Sequence, residues 1–167
     1  MERFLFLILF FATTTATAAV DLPKKMNESD RRVLLGILGY GSQSKLLSSP
    51  VPLGGSQGFE VGVSSEYIPI EDLNGLGAQT DVRGELSYQM LTFGKGLPHN
   101  VDTFVQMTPY QRGNGVFAYG GHVRWGFHEF ERFPALMSLV LHGSGANYDN
   151  QVDARTTGLD LIMTVAM

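Results

Sequence analysis

From residue 59 onwards, apolar and polar residues alternate along the chain with a period of two. Such alternation predicts β-strands that have one apolar and one polar face. The alternating segments are 59–67, 81–90, 101–108, 116–127, 135–144 and 157–165. Residues that favour turns lie between several of them, at 94–100, 113–115 and 147–153. The pattern therefore predicts a sheet of about six strands joined by short turns.

The two faces of these segments differ in character. In 81–90 the apolar face holds Leu86, Tyr88 and Met90, and the opposite face is entirely polar. In 101–108 the alternation is interrupted once, because Phe104 lies on the polar side. Aromatic residues of the apolar faces lie near strand ends, at Phe59, Tyr67, Tyr119, Trp125 and Phe127.

The segment before the strands predicts one short helix and a linker. Asn27, Ser29 and Asp30 supply helix caps and negative charge at a helix start. We expect a helix over 31–38 that ends at Gly39 or Gly41. A strand over 33–41 is the competing prediction, but the apolar residues there do not alternate. Residues 42–57 are rich in Ser, Pro and Gly and predict a linker.

The first 19 residues have the three parts of an export signal. Glu2 and Arg3 precede the apolar run at 4–12, and small residues with an A-x-A site follow at 16–18. The run is shorter than the roughly 20 residues that a membrane helix needs. We expect a signal peptide at 1–19, a periplasmic lead-in at 20–57 and strands at 58–167.

Composition narrows the function classes. The chain has no Cys, so disulfides, thiol catalysis and thiolate metal sites are excluded. The net charge of −4 without a basic block argues against nucleic-acid binding. No segment after the predicted signal is long and apolar enough for a membrane helix, so we expect any membrane crossing to use strands.

Alternation also occurs in soluble sandwiches, whose apolar faces point inside. Three observations favour a membrane barrel here. The strands are longer than the usual five or six residues, and about ten tilted residues cross a bilayer. The polar faces mix Gly, Ser and charges, as a barrel lumen does. Aromatic residues near strand ends are typical of the two girdles of an outer-membrane barrel. This prediction makes the apolar faces, including Leu86 and Leu139, lipid-facing.

The segments TDVRGELSYQMLTFGKG (80–96) and VFAYGGHVRWGFHEF (116–130), together with the signal at 1–19, resemble bacterial outer-membrane β-barrel proteins of the porin-like kind. The segment 53–69 also looks like a first strand of exported barrels in Gram-negative bacteria. The resemblance covers about two thirds of the chain and is one of pattern. It implies contacts with outer-membrane lipid and the barrel assembly machinery, and it carries no catalytic motif.

The chain departs from that family in two respects. About six strands are too few to close a barrel of eight or more, and the chain ends in Met167 where an aromatic residue is typical. We expect this chain to be the N-terminal portion of a longer barrel. The alternative is that 33–41 and 45–53 are two further strands, which would bring the number to eight.

The polar faces supply the candidate site residues. Those expected to face the lumen are Glu60, Glu66, Arg83, Glu85, His122, Arg124, His142 and Asp160. They would line a pore or form a paired network that fills a narrow interior, and the second is favoured because small barrels are filled by side chains. The four histidines lack metal-ligand spacing, so we expect no metal site and no cofactor.

His142 and Ser144 share a strand face and form the one constellation that suggests an enzyme. Lipid A deacylases of the outer membrane use a similar His-x-Ser arrangement, but there the following residue is Asn, and here it is Gly145. Their pair faces lipid, whereas His142 and Ser144 lie on a polar face. We therefore favour polar packing over catalysis.

The sequence predicts an all-β, antiparallel up-and-down transmembrane β-barrel with a short N-terminal helix, located in the outer membrane after signal cleavage. Its predicted role is structural or that of a passive pore, without enzymatic activity. The alternatives are a soluble periplasmic β-sheet protein that binds a ligand or partner, and a barrel enzyme that modifies lipid A.

Overall fold

The computed structural model describes residues 22–41, 51–77, 85–109, 116–130, 135–148 and 152–165. The predicted signal peptide at 1–19 and residues 42–50 of the predicted linker lie outside these ranges. The described elements are α1 (Glu28–Gly41), β1 (Phe59–Pro69), β2 (Glu85–Leu97), β3 (Val101–Met107), β4 (Val116–Glu129), β5 (Ala135–Tyr148) and β6 (Val152–Val165). Short 3-10 turns occupy Gly55–Gln57 and Glu71–Gly75.

Helix α1 begins at Glu28, three residues before the predicted start at Arg31, and Asn27 caps it. The Asn27 side-chain oxygen accepts a hydrogen bond from the backbone N–H of Asp30 at 2.8 Å and one from the Ser29 hydroxyl at 2.7 Å. This satisfies one of the N–H groups that a helix start leaves without an intrahelical partner. The predicted helix is confirmed, and the alternative of an additional strand at 33–41 is wrong because α1 continues to Gly41.

The six strands form one sheet in sequence order, and each is antiparallel to the next. The sheet curls into a half-barrel. Among the described strands, β1 pairs only with β2, and β6 pairs only with β5. The predicted antiparallel meander is therefore confirmed, and the sheet has two free edges within the described part of the chain.

The strand register assigns each side chain to one face. Paired residues have the same parity throughout the sheet, as in Val63 with Leu91 and Val123 with Leu141, except in the last two pairs of β4 with β5. Because successive side chains of a strand point to opposite faces, even-numbered residues face the concave side and odd-numbered residues face the convex side. The register shifts once, between Gly126 and His128 of β4, where a bulge lies near the end of that strand.

The structure corrects the sequence-based prediction for the second strand. It extends from Glu85 to Leu97, so the residues 94–96 belong to the strand, and a turn follows at 98–100. Leu86, Tyr88 and Met90 are buried on the concave side, and Leu86 is therefore wrong as a lipid-facing residue. The reason is that α1 packs on this side and makes one end of the concave face apolar.

Below, the upper end of the sheet is the end at which β1 finishes, and the lower end is that of the turn at 98–100. The hydrophobic core lies at the upper end, between α1 and the concave face. Leu34 and Leu38 of α1 are buried there against the strands. The described helix is too short and too polar to cross a bilayer.

Candidate functional site

The concave face has an apolar upper layer and a polar lower layer. The upper layer, which α1 covers, consists of Ile68, Leu86, Tyr88, Met90, Ala118, Ala146, Tyr148 and Ala154. The lower layer, here called the polar belt, consists of Glu60, Thr92, Asp102, Gln106, His122, Arg124, Ser138, His142, Ser144, Thr156 and Asp160. The polar belt collects side chains from all six strands, so it is the candidate functional site.

The structure assigns most of the sequence-predicted candidates to this concave side. They are Glu60, Glu66, His122, Arg124, His142 and Asp160. Arg83 and the side chain of Glu85 lie outside the described part of the chain. Glu66 is separated from the polar belt, because it pairs with Tyr88 in the upper layer. Whether these side chains face a closed lumen remains a prediction.

The strongest interaction in the polar belt joins Asp102 and Arg124, which are direct partners in the β3–β4 register. The Arg124 Nη2 and Nε atoms donate to Asp102 Oδ2 at 2.7 Å and 3.1 Å. The two side chains are 3% and 1% exposed. A buried ion pair is tolerated only when further hydrogen bonds satisfy its members, and both residues have such bonds.

Those further bonds come from the segment that precedes β1. Arg124 Nη2 donates to the Val51 carbonyl at 2.9 Å, and the Leu53 N–H donates to Asp102 Oδ1 at 3.2 Å. The ion pair therefore holds residues 51–53 at the lower end of the concave face. Asp102 was not among the site residues predicted from the sequence. Its polar-face position in the third alternating segment was visible, but its pairing with Arg124 depends on the register between two strands.

Phe104, the exception in the strand pattern, has a packing role. Its ring stacks on His122 with centroids 4.3 Å apart, and the Arg124 guanidinium carbon lies over the same ring, 5.5 Å from its centroid. The ring also leans over Gly94, where any Cβ would collide with it. An aromatic ring that covers a glycine on the neighbouring strand helps to set the register.

Like Phe104, His142 of the polar belt covers a glycine on the neighbouring strand, here between β5 and β6. Its Nε2 atom lies 3.1 Å from Asp160 Oδ2 on β6. Its ring covers Gly158, and a Cβ at that position would meet the imidazole. Asp160 is thus the carboxylate partner that sequence spacing did not identify, because it comes from the next strand through the β5–β6 register.

The hydrogen-bond partners of His142 and Ser144 can be compared with those of a catalytic histidine and serine. The Ser144 hydroxyl is hydrogen-bonded to Thr156 Oγ1 at 2.6 Å. Nδ1 of His142 is buried and has no hydrogen-bond partner. In a nucleophile–base–acid arrangement the base bonds the acid through one ring nitrogen and the nucleophile through the other. The bonds seen here instead join β5 to β6 and serve to connect the strands.

Other chemistry on the described residues is limited. No group of three or more His, Asp or Glu residues in the described ranges is arranged to hold a metal ion. A cavity of about 350 Å³ opens at the lower end of the half-barrel. It is lined by Val51, Pro52, Asn100, Glu129, Ala135, Leu136 and Thr164.

The convex face is predominantly apolar and exposed. Its exposed apolar side chains, here called the convex band, are Phe59, Val61, Val63, Tyr67, Phe93, Leu97, Val105, Met107, Phe117, Tyr119, Val123, Trp125, Phe127, Leu141, Leu159, Leu161, Met163 and Val165. Soluble monomers rarely expose contiguous apolar patches of more than a few hundred Å². The convex band extends over all six strands, so the outside of the described sheet is an exposed apolar surface.

Comparisons of this chain with protein-family models, with characterised proteins and with solved structures found no match.

Proposed function

We propose that this chain is the N-terminal part of a β-barrel protein of the bacterial outer membrane. Its role is structural or that of a passive pore, and it carries no enzymatic chemistry. The observation that carries the proposal is the convex band, an exposed apolar surface on the outside of a curled sheet whose inside is partly polar. This inverts the arrangement of a soluble barrel and corresponds to the lipid-facing surface of a membrane barrel.

The slope of the convex band supports the same proposal. Leu159 is the uppermost band residue of β6, and it lies in the same register row as Phe59, the lowermost band residue of β1. Between β1 and β6 the top of the band descends by about eight residues in five steps, an average of roughly 1.5 residues per strand. The descent is uneven, because Phe117 of β4 lies higher in the register than Phe93 of β2.

This slope has a simple geometric meaning. With a rise of about 3.3 Å per residue and a strand spacing of about 4.8 Å, it corresponds to strands tilted by about 45°. Strands of outer-membrane barrels are tilted by roughly that angle against the bilayer normal. The average slope of the band is therefore the one expected of a lipid-facing belt on tilted strands.

The polar residues of the convex side support this orientation. Above the band on β6, Asp153 and Arg155 form an exposed ion pair at 2.9 Å. On β2, Lys95 lies between the band residues Phe93 and Leu97, and its ammonium donates a hydrogen bond to the Ser56 carbonyl at 2.5 Å. A long basic side chain reaches the edge of the hydrocarbon layer in this way while its methylene groups stay in apolar surroundings.

The position of α1 supports the proposal that further strands complete the barrel. A helix with its side chains is about 10–12 Å across. A barrel of about eight strands is filled by wall side chains alone, whereas 11-stranded cans enclose a central helix. A wall that encloses α1 therefore needs more than the six strands described, and the free edges of β1 and β6 are where further strands would pair. Sequencing the gene beyond the Met167 codon tests this point.

Cell fractionation tests the location. The full gene product, expressed in a Gram-negative host, should sediment with the outer membrane, resist urea washing and dissolve in detergent. A folded membrane barrel should also migrate differently on a gel before and after boiling. Recovery of folded protein in the soluble periplasm would contradict the proposal and favour the soluble β-sheet alternative.

A further inference from the structure

Helix α1 is attached to the concave face at its C-terminal end by two tyrosines of the sheet. Tyr148 of β5 donates a hydrogen bond to the Leu38 carbonyl at 3.1 Å, and Tyr88 of β2 donates to the Gly41 carbonyl at 3.2 Å. The last carbonyls of a helix have no intrahelical donor. Two strands of the wall therefore supply specific donors for the end of this helix.

The helix also lies in close contact with both edge strands. A Cβ at Gly39 would lie 3.7 Å from Thr156 Cγ2 on β6, and a Cβ at Gly41 would collide with Ile68 of β1. At the other end of α1, Asp30 accepts a hydrogen bond from the Gly77 N–H at 3.2 Å. The helix thus reaches across the concave face from β6 to β1 and is held at both of its ends.

The lower layer has its own attachment. The buried Asp102–Arg124 pair binds the backbone of Val51 and Leu53. Residues of the upper layer under α1 have almost no exposed surface, and Tyr148 and Ala146 have none. Helix α1 covers the upper layer and residues 51–53 cover part of the lower layer. A channel along the concave side could open only if both segments moved away.

We propose that α1 and residues 51–53 are an internal plug that keeps the barrel closed to solutes. The inference rests on the proposed membrane barrel and adds that its interior is filled by the chain's own N-terminal part. The upper half of the plug excludes water by apolar contacts. The lower half replaces water around the buried ion pair with backbone groups.

The test releases the plug by one substitution. Leu38 is completely buried between α1 and the sheet, so Leu38→Asp places a charge in an apolar contact and should expel the helix. Leu35→Asp adds the same charge to the same helix at a position that is 45% exposed, and it is the matched control. Each protein is extracted from the outer membrane and incorporated into planar bilayers, and the conductance is recorded in KCl.

A second measurement tests the position of the helix without conductance. The chain has no Cys, so the pair Gly39→Cys and Thr156→Cys is the only thiol pair in the variant. A Cβ at position 39 would lie 3.7 Å from Thr156 Cγ2, so the two side chains are in van der Waals contact. We expect complete crosslinking in membranes under mild oxidation. In the background of Leu38→Asp, oxidation of the pair should return the conductance to the level of the unmodified protein.

The proposal expects rare or no channel events for the unmodified protein and for Leu35→Asp, and at least tenfold more open time for Leu38→Asp. Equal conductance of all three proteins, or a silent Leu38→Asp protein that is present in the outer membrane, would overturn the plug. Failure of the cysteine pair to crosslink in the membrane protein would also overturn it. If the variant with the cysteine pair is recovered in the soluble fraction but crosslinks, then the membrane proposal fails while the helix position holds.

Discussion

Tyr148 and Leu38 are 110 residues apart in the sequence and are joined by a hydrogen bond of 3.1 Å from the tyrosine hydroxyl to the leucine carbonyl. Tyr148 is fully buried. The bond connects the last residue of β5 to the last turn of α1. It therefore helps to hold the N-terminal helix against the sheet.

We expect Tyr148→Phe to lower the free energy of unfolding by about 1–3 kcal/mol, because the substitution leaves the Leu38 carbonyl buried without its donor. Urea unfolding in detergent micelles measures the change. Tyr40→Phe is the control on the same helix, since Tyr40 is 80% exposed, and it should leave the unfolding midpoint unchanged. Equal effects of the two substitutions would show that the buried bond adds nothing.

We expect a larger loss in the free energy of unfolding when the buried Asp102–Arg124 ion pair is broken. Asp102→Ala leaves the Arg124 guanidinium buried without its carboxylate, and removal of one member of such a pair costs about 3–5 kcal/mol. We expect a marked loss of folded protein on the gel that compares migration before and after boiling. Asp153→Ala removes the carboxylate of the exposed pair with Arg155, and it should have no measurable effect. A stable Asp102→Ala protein would contradict the role of this pair in the lower layer.

The ring of His142 predicts that Gly158 cannot carry a side chain. A Cβ at Gly158 would collide with the imidazole, whereas a Cβ at Gly143 would have its nearest neighbours at 3.8 Å. We expect Gly158→Ala to destabilise the fold by about 1–3 kcal/mol through overcrowding, and Gly143→Ala to be tolerated. Thermal unfolding in detergent compares the two. Equal melting temperatures would show that the His142 ring does not occupy the space over Gly158.

We expect the free-energy cost of an added charge on the convex side to depend on whether it lies within the convex band or above it. Leu161 lies within the band on β6, and Thr157 lies above it on the same side of the same strand. Arg at the bilayer midplane costs about 2–4 kcal/mol, and the cost falls to about 0–1 kcal/mol near the interface. We expect Leu161→Arg to reduce the folded outer-membrane fraction strongly and Thr157→Arg to reduce it little. Equal amounts of both in the membrane would contradict the assignment of the band to lipid.

Much of the fold was predictable because it depends on local pattern. The alternation of apolar and polar residues identified all six described strands, and the capping residues around Asn27 indicated the start of α1 to within three residues. The prediction failed where a local pattern is ambiguous. The segment 81–90 has an apolar face, but alternation does not say whether that face points out to lipid or in towards a helix.

The candidate site was predictable in part. His122, Arg124, His142 and Asp160 were identified as inward-facing polar residues, and the structure has them on the concave side. Their partners were not predictable. Asp102 was overlooked, and the pairing of Asp160 with His142 depends on which residues of β5 and β6 lie side by side.

The sequence by itself determined that this chain forms a helix followed by long alternating strands, because strand and helix periodicity depend on neighbouring residues alone. The tertiary structure decided which face of each strand is concave, that α1 covers the upper layer, and which charges form pairs. These properties depend on register and on contacts between residues far apart in the chain, such as Tyr148 with Leu38. A one-residue change of register would exchange the two faces of a strand, so no single segment contains that information.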